Sequence, residues 1–125
     1  MTLRPPRPSS TPQRQDALDY EVAREQASTL GRLGRALERA LAALSEFDRA
    51  HSADEGGANE EAQTRALRAR LVHEASNALW CFIIQREACG LRDPRPVLRA
   101  YNVPVDVQNR MGTFSPAISR PIAAN

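Results

Sequence analysis

The histidines and cysteines of this sequence, the first candidates for nucleophilic or zinc chemistry, are His51, His73, Cys81 and Cys89. Cys81 and Cys89 are eight residues apart on a stretch that reads as one helix. Their Cα atoms then lie roughly 12 Å apart, beyond the reach of a mutual disulfide. Neither belongs to a Cys-x-x-Cys pair, and no histidine stands at zinc-ligand spacing from them. Cys89 sits toward the C-terminal end of its helix, where the dipole opposes a thiolate. The pair His73-Glu74 lacks the second histidine of the His-Glu-x-x-His motif. The expectation is therefore a non-enzymatic chain with no metal, no cofactor and no small-molecule ligand, its cysteines serving as small apolar filler in a reducing compartment.

Two polar groupings stand out instead. Arg86 projects near the apolar arc of its helix, where a guanidinium needs carbonyls or an acidic partner; Glu87, Asp93 and Asp106 are the candidates. The preferred reading is an ion pair tying that helix to the segment after it, and the alternative is an arginine that recognises a ligand or partner. Further on, Gln108, Asn109 and Arg110 close a segment, 93–112, that has room for two short helices and a turn. As a helix-turn-helix it would offer those three side chains to base edges.

Charge argues against nucleic acid as the main partner. The 125 residues carry 17 basic and 15 acidic groups, a formal +2. Every basic residue is Arg. Basic residues dominate the two ends, whereas 15–109 is slightly acidic, a poor footprint for counterion release. The longest apolar run, Ala78 to Ile84, is far short of a membrane span. No apolar leader follows the N-terminal arginines, so a cytoplasmic protein with no membrane contact is expected.

The elements that must position these residues are helical. Prolines occupy the first dozen residues and the last third, and none falls between 13 and 93. That interior is rich in Ala, Leu, Arg and Glu. A disordered Pro/Arg/Ser-rich tail is expected over 1–15, then a first helix over 16–50, with Leu30, Leu37 and Leu44 in one heptad line and Leu33, Ala40 and Phe47 in the other. Gly56 and Gly57 mark a loop over 51–58, after which Asn59 serves as N-cap of a second helix running to Cys89. Gly90 fits the left-handed position that ends a helix, with Leu91 folding back. Short helices follow at 94–101, opened by Asp93-Pro94, and at 104–110, closed by Gly112. Residues 113–125 read as a loosely ordered tail.

One pattern constrains the assembly. Two long antiparallel helices cover one stripe each, yet Leu79, Trp80, Phe82, Ile83 and Ile84 point to every side of the second helix. Leu79, Phe82 and Ile83 face the hairpin. Trp80 and Ile84 need another cover: either the segment after Pro94 or a second copy of the chain.

The stretch from Trp80 to Asp93, together with Tyr101-Asn102-Val103-Pro104 and Arg110-Met111-Gly112, resembles a family of small bacterial proteins of unknown function, mainly alphaproteobacterial. The resemblance spans about 16–112, carries no catalytic motif, and implies a small, soluble, mostly helical protein. The sequence as a whole predicts an all-α fold: a long antiparallel helical hairpin, one or two short C-terminal helices, and flexible N- and C-terminal tails. The expected role is a non-enzymatic interaction or accessory module, a homodimer or the partner of another helical protein. The alternative is a small DNA-binding regulator using 93–112.

Overall fold

The computed structural model describes residues 10–52 and 56–111, with side chains from residue 13 onward. The segment 1–9, the loop residues 53–55 and the closing segment 112–125, including the expected C-terminal tail and Gly112, lie outside the described residues. Four helices follow in order: α1 (Ser10–Ala50), α2 (Ala58–Ala88), α3 (Arg95–Ala100) and α4 (Val105–Met111). No strand occurs among the described residues. The all-α hairpin with short C-terminal helices is the architecture observed.

The ends of the helices differ from expectation in instructive ways. Helix α1 starts at Ser10, six residues before the expected Asp16. Pro12 is its third residue, within the first turn, where backbone N–H groups have no intrahelical acceptor and a missing one costs nothing. The tail expected over 1–15 therefore gives up 10–15 to the helix. At α2 the N-cap is Gly57 in an extended conformation, with no side-chain cap bond. Asn59 is instead inside the first turn, alongside Glu60 and Glu61, whose charges suit the positive end of the dipole. Pro94, not Asp93, occupies the cap position of α3. Asp93 still acts as a cap in substance, because its Oδ1 accepts the backbone N–H of Arg95 at 3.0 Å.

The chain reverses twice between α2 and α4 by the same device. Gly90 has φ +91° and Asn102 has φ +53°. After α2, the N–H of Leu91 donates to the Arg86 carbonyl (2.8 Å) and that of Gly90 to the Glu87 carbonyl (2.9 Å). After α3, Val103 donates to Leu98 (3.0 Å) and Asn102 to Arg99 (3.2 Å). Both are Schellman closures, with the left-handed residue satisfying carbonyls that the helix end leaves open.

The core lies where α1, α2 and α4 meet. Leu37 and Leu44 come from α1; Ala75, Leu79, Phe82 and Ile83 from α2; Val97, Val103, Val107 and Met111 from the C-terminal segment. Small residues set the spacing. Ala75 and Ser76 are fully buried, and the Ser76 hydroxyl lies 2.7 Å from the Val72 carbonyl and 3.1 Å from that of Val107, so α4 approaches α2 at backbone distance. On α1, Gly34 plays the same part. A Cβ there would stand 3.0 Å from the Tyr101 hydroxyl and 3.3 Å from the Phe82 ring, two aromatics that meet edge to face at 5.7 Å.

The two helical glycines of α1 should therefore respond in opposite ways. At Gly31 an added Cβ meets only the end of the Arg35 side chain, at 3.4 Å. Gly31→Ala should raise stability by about 0.5–1 kcal/mol through helix propensity alone. Gly34→Val should cost about 1–3 kcal/mol by overpacking against Tyr101 and Phe82. Thermal unfolding followed by circular dichroism reads both, and a Gly34→Val melt at or above wild type would show that close approach is not what this glycine provides.

Candidate functional site

The strongest polar cluster is built on Arg68. Its Nε and Nη2 donate to the two carboxylate oxygens of Asp48 (2.7 and 3.0 Å), and its Nη1 donates to Asp106 Oδ2 (2.6 Å). One guanidinium thus joins α1, α2 and α4. The fork geometry of arginine suits this role, and a point-charge ammonium would not reproduce it. The hydrogen bonds from Arg68 hold the Asp48 carboxyl below its ordinary value and, with those to Asp106, push the guanidinium above its own. Asp106 also accepts the N–H of Val107 at 3.0 Å, at the start of α4.

The sequence reading anticipates an ion pair between α2 and the C-terminal segment but assigns it to Arg86. The structure places that ion pair on Arg68. Arg86 is half-buried and donates to the backbone carbonyl of Asp93 (3.1 Å), not to a carboxylate. The Asp93 side chain is taken by Arg95, in two side-chain hydrogen bonds of 2.9 Å, and Asp106 is taken by Arg68. Hydrogen bonds from the Arg95 side chain, and then from its backbone N–H, lower Asp93 to about 2. Glu87 is exposed. A signal for Arg68 does exist in the sequence: it stands seven residues before Ala75 and eleven before Leu79, in line with the buried arc of α2.

The residues considered for base contacts are placed on α4 as follows. Gln108 donates from its amide to the Val103 carbonyl at 3.0 Å, bracing the turn before its own helix. Asn109 and Arg110 are exposed, and Arg110 Nη2 lies 3.3 Å from His73 Nδ1 on α2. The N-terminal turn of α4, the end that a recognition helix offers to bases, carries the acid Asp106.

Of the five apolar positions on α2, Leu79, Phe82 and Ile83 are buried in the core. Trp80 is half-buried and packs against that core, with its indole N–H buried and lacking an acceptor among the described residues. Ile84 remains 44% exposed. Most of the run is thus covered within one copy.

Elsewhere, an open groove of about 490 Å³ runs between α1 and the α3–α4 corner, bordered by Glu38, Leu41, Asp48, Tyr101 and Pro104. A smaller hollow of about 310 Å³ lies on the other side of the hairpin, between Phe47 of α1 and Leu67, Arg70, Leu71 and Glu74 of α2. His51 stacks on Phe47 with ring centroids 4.1 Å apart, and its Nδ1 lies 2.8 Å from the Phe47 carbonyl, a local closure of α1. Both cysteines are half-buried free thiols, with the Gln85 amide 3.8 Å from Cys89 Sγ. Among the described residues, no group of three or more His, Cys, Asp or Glu is placed to hold a metal ion, and no helix is long and apolar enough to cross a membrane.

Comparison with known proteins gives one match. The model of a family of unknown function (DUF6665) covers residues 6–119. No curated protein and no solved structure matches the chain.

Two measurements check the polar cluster. Arg68→Met should cost about 1 kcal/mol, since both ion pairs are partly solvent-screened, and lower the melting temperature by roughly 4–8 °C. Asp48 is held below 3.8 in the fold. Its stabilisation is complete above that value and is lost as pH falls through the lower folded value. The acid limb of the stability curve should therefore flatten in Arg68→Met, and an unchanged limb would refute the assignment. Separately, Arg95→Ala should move Asp93 only part of the way from about 2 back toward 3.8, because the backbone N–H of residue 95 still donates. Side-chain carboxyl shifts in an NMR titration report this directly.

Proposed function

The chain belongs to this family of unknown function, and from that premise we propose that it is a non-enzymatic helical interaction module that works by self-association. The observation that carries this reading is the apolar surface a single copy leaves in water. Leu18 is 55% exposed, Val22 54%, Leu67 49% and Ile84 44%, all on the two helices that form the hairpin. Scattered exposed aliphatics are ordinary. These are not scattered, because Leu18, Val22 and Leu67 continue lines of half-buried apolar residues along α1 and α2. A helical surface of this kind suits another helical surface, and a second copy supplies one at equal concentration.

Two patches qualify as the contact: the flank with Trp80 and Ile84, and the side of the hairpin that carries the Phe47–Leu67 hollow. On either patch the chemistry is apolar burial.

Sedimentation velocity of the full chain, from about 1 to 100 micromolar, tests the reading. The expected result is a concentration-dependent rise to twice the monomer mass. A single monomeric species across that range would overturn it.

A further inference from the structure

The side of the hairpin away from α4 is an apolar strip with no neighbouring element among the described residues. Helix α4 packs on α2 through Ser76 and is tied to it by Arg68 and Asp106, and the α3–α4 corner faces α1 near Leu41 and Asp48. At 100° per residue, Leu18, Val22 and Phe47 lie about 80–140° around α1 from Leu41 and Asp48, and Leu67, Leu71 and Ala78 lie about 140–180° around α2 from Ser76. That Phe47, Leu67 and Leu71 line one hollow confirms that both arcs open on the same side.

The register of the hairpin adds a second observation. Asp48 meets Arg68, and Gly34 faces Phe82, fourteen residues on in each helix. Carrying that antiparallel register six residues further brings Ala88, the last residue of α2, level with Ser28. Residues 10–27 of α1 therefore run past the end of α2 by about 27 Å. Residues 13–25 of this overhang are all exposed, Leu18 and Val22 among them. A helical extension of this length, without cover, is marginal in water.

Resting on the self-association proposed above, we infer that the open side of the hairpin is the dimer interface. A second copy packs on it antiparallel, with the α1 overhang of each copy lying across the Phe47–Leu67–Leu71 hollow of the other. A two-fold axis crossing α1 near Leu33 places both overhangs at once, since Leu18 and Phe47 are nearly equidistant from that residue. The arrangement is isologous and closed, and it pairs the two unsatisfied features with each other. The area is adequate: about 30 Å of hairpin roughly 18 Å wide and about 15 Å of overhang roughly 9 Å wide give on the order of 700 Å² per copy, within the range of a standard stable interface. The Trp80 flank is a weaker contact, because Ile84 is its only strongly exposed large apolar side chain among the described residues.

The test uses three exposed positions of the full chain, whose substitution leaves the core untouched. Leu18→Glu and Leu67→Glu should each weaken the dimer by about tenfold or more in sedimentation equilibrium, with helicity by circular dichroism unchanged. Leu18→Glu combined with Leu67→Arg should recover much of that loss, because the two positions meet between copies and not within one. Ile84→Glu should leave the dimer intact. If the wild type dimerises but only Ile84→Glu breaks it, the interface is the Trp80 flank and this inference falls while self-association stands. Failure of the charge pair to rescue would overturn the antiparallel arrangement. A wild type that stays monomeric removes both readings together.

Discussion

Helix α2 carries more apolar surface than any one neighbour can hide, and this constraint organises the rest of the molecule. Phe82 meets α1 at Gly34, Ser76 meets α4 at the Val107 carbonyl, and Val72, Ala75, Leu79 and Ile83 are buried in the same core. Two neighbours can reach one helix so closely only if the residues between them are small. Ala75 and Ser76 meet that requirement, at the cost of burying a hydroxyl that must then find a carbonyl, as Ser76 does. At one end of this junction Arg68 binds an acid from each neighbour. At the other, Tyr101 packs on Phe82 over the space left by Gly34.

The short C-terminal helices exist only because that junction receives them. Six and seven residues are too few for α3 or α4 to persist alone in water. Their positions follow from the two left-handed residues, Gly90 and Asn102, each closing a helix and redirecting the chain within a single turn. Val97, Val103, Val107 and Met111 are delivered to the core as a result. The backbone geometry is therefore local, but its stability is tertiary.

This division explains what was legible in the sequence. Gly90 and Asn102 speak through local chemistry, and the turns they make are readable from residue type alone. The heptad lines of α1 and the apolar run of α2 likewise announce long helices and a hairpin. Partner choice among polar groups is not local. Arg86 and Arg68 both stand near the apolar arc of α2, and what separates them is where Asp48 and Asp106 arrive in space, which depends on the hairpin register and on the seating of α4. The start of α1 was missed for a different reason: Pro12 reads as a helix breaker until its place in the first turn is known. The apolar run leaves two covers open in the sequence, the segment after Pro94 or a second copy, because the approach of α4 depends on backbone closeness at Ser76, which no hydropathy pattern records.

The open side of the hairpin has its origin in the same seven-residue repeat. A straight α-helix lags about 20° behind each heptad. Along α1 the line Leu30, Leu37, Leu44 stays on the α2-facing side, and Leu37 and Leu44 are fully buried. The companion line Leu33, Ala40, Phe47 starts at the edge of that contact and walks away from it, until Phe47 borders the outer hollow with Leu67. Earlier in the helix, Leu18 and Val22 fall on the same outer edge. The stripe is thus wider than one antiparallel neighbour covers. A chain of this size has little other apolar material to spend on the exposed edge. The repeat that builds the hairpin from within therefore also leaves apolar residues on its outer edge.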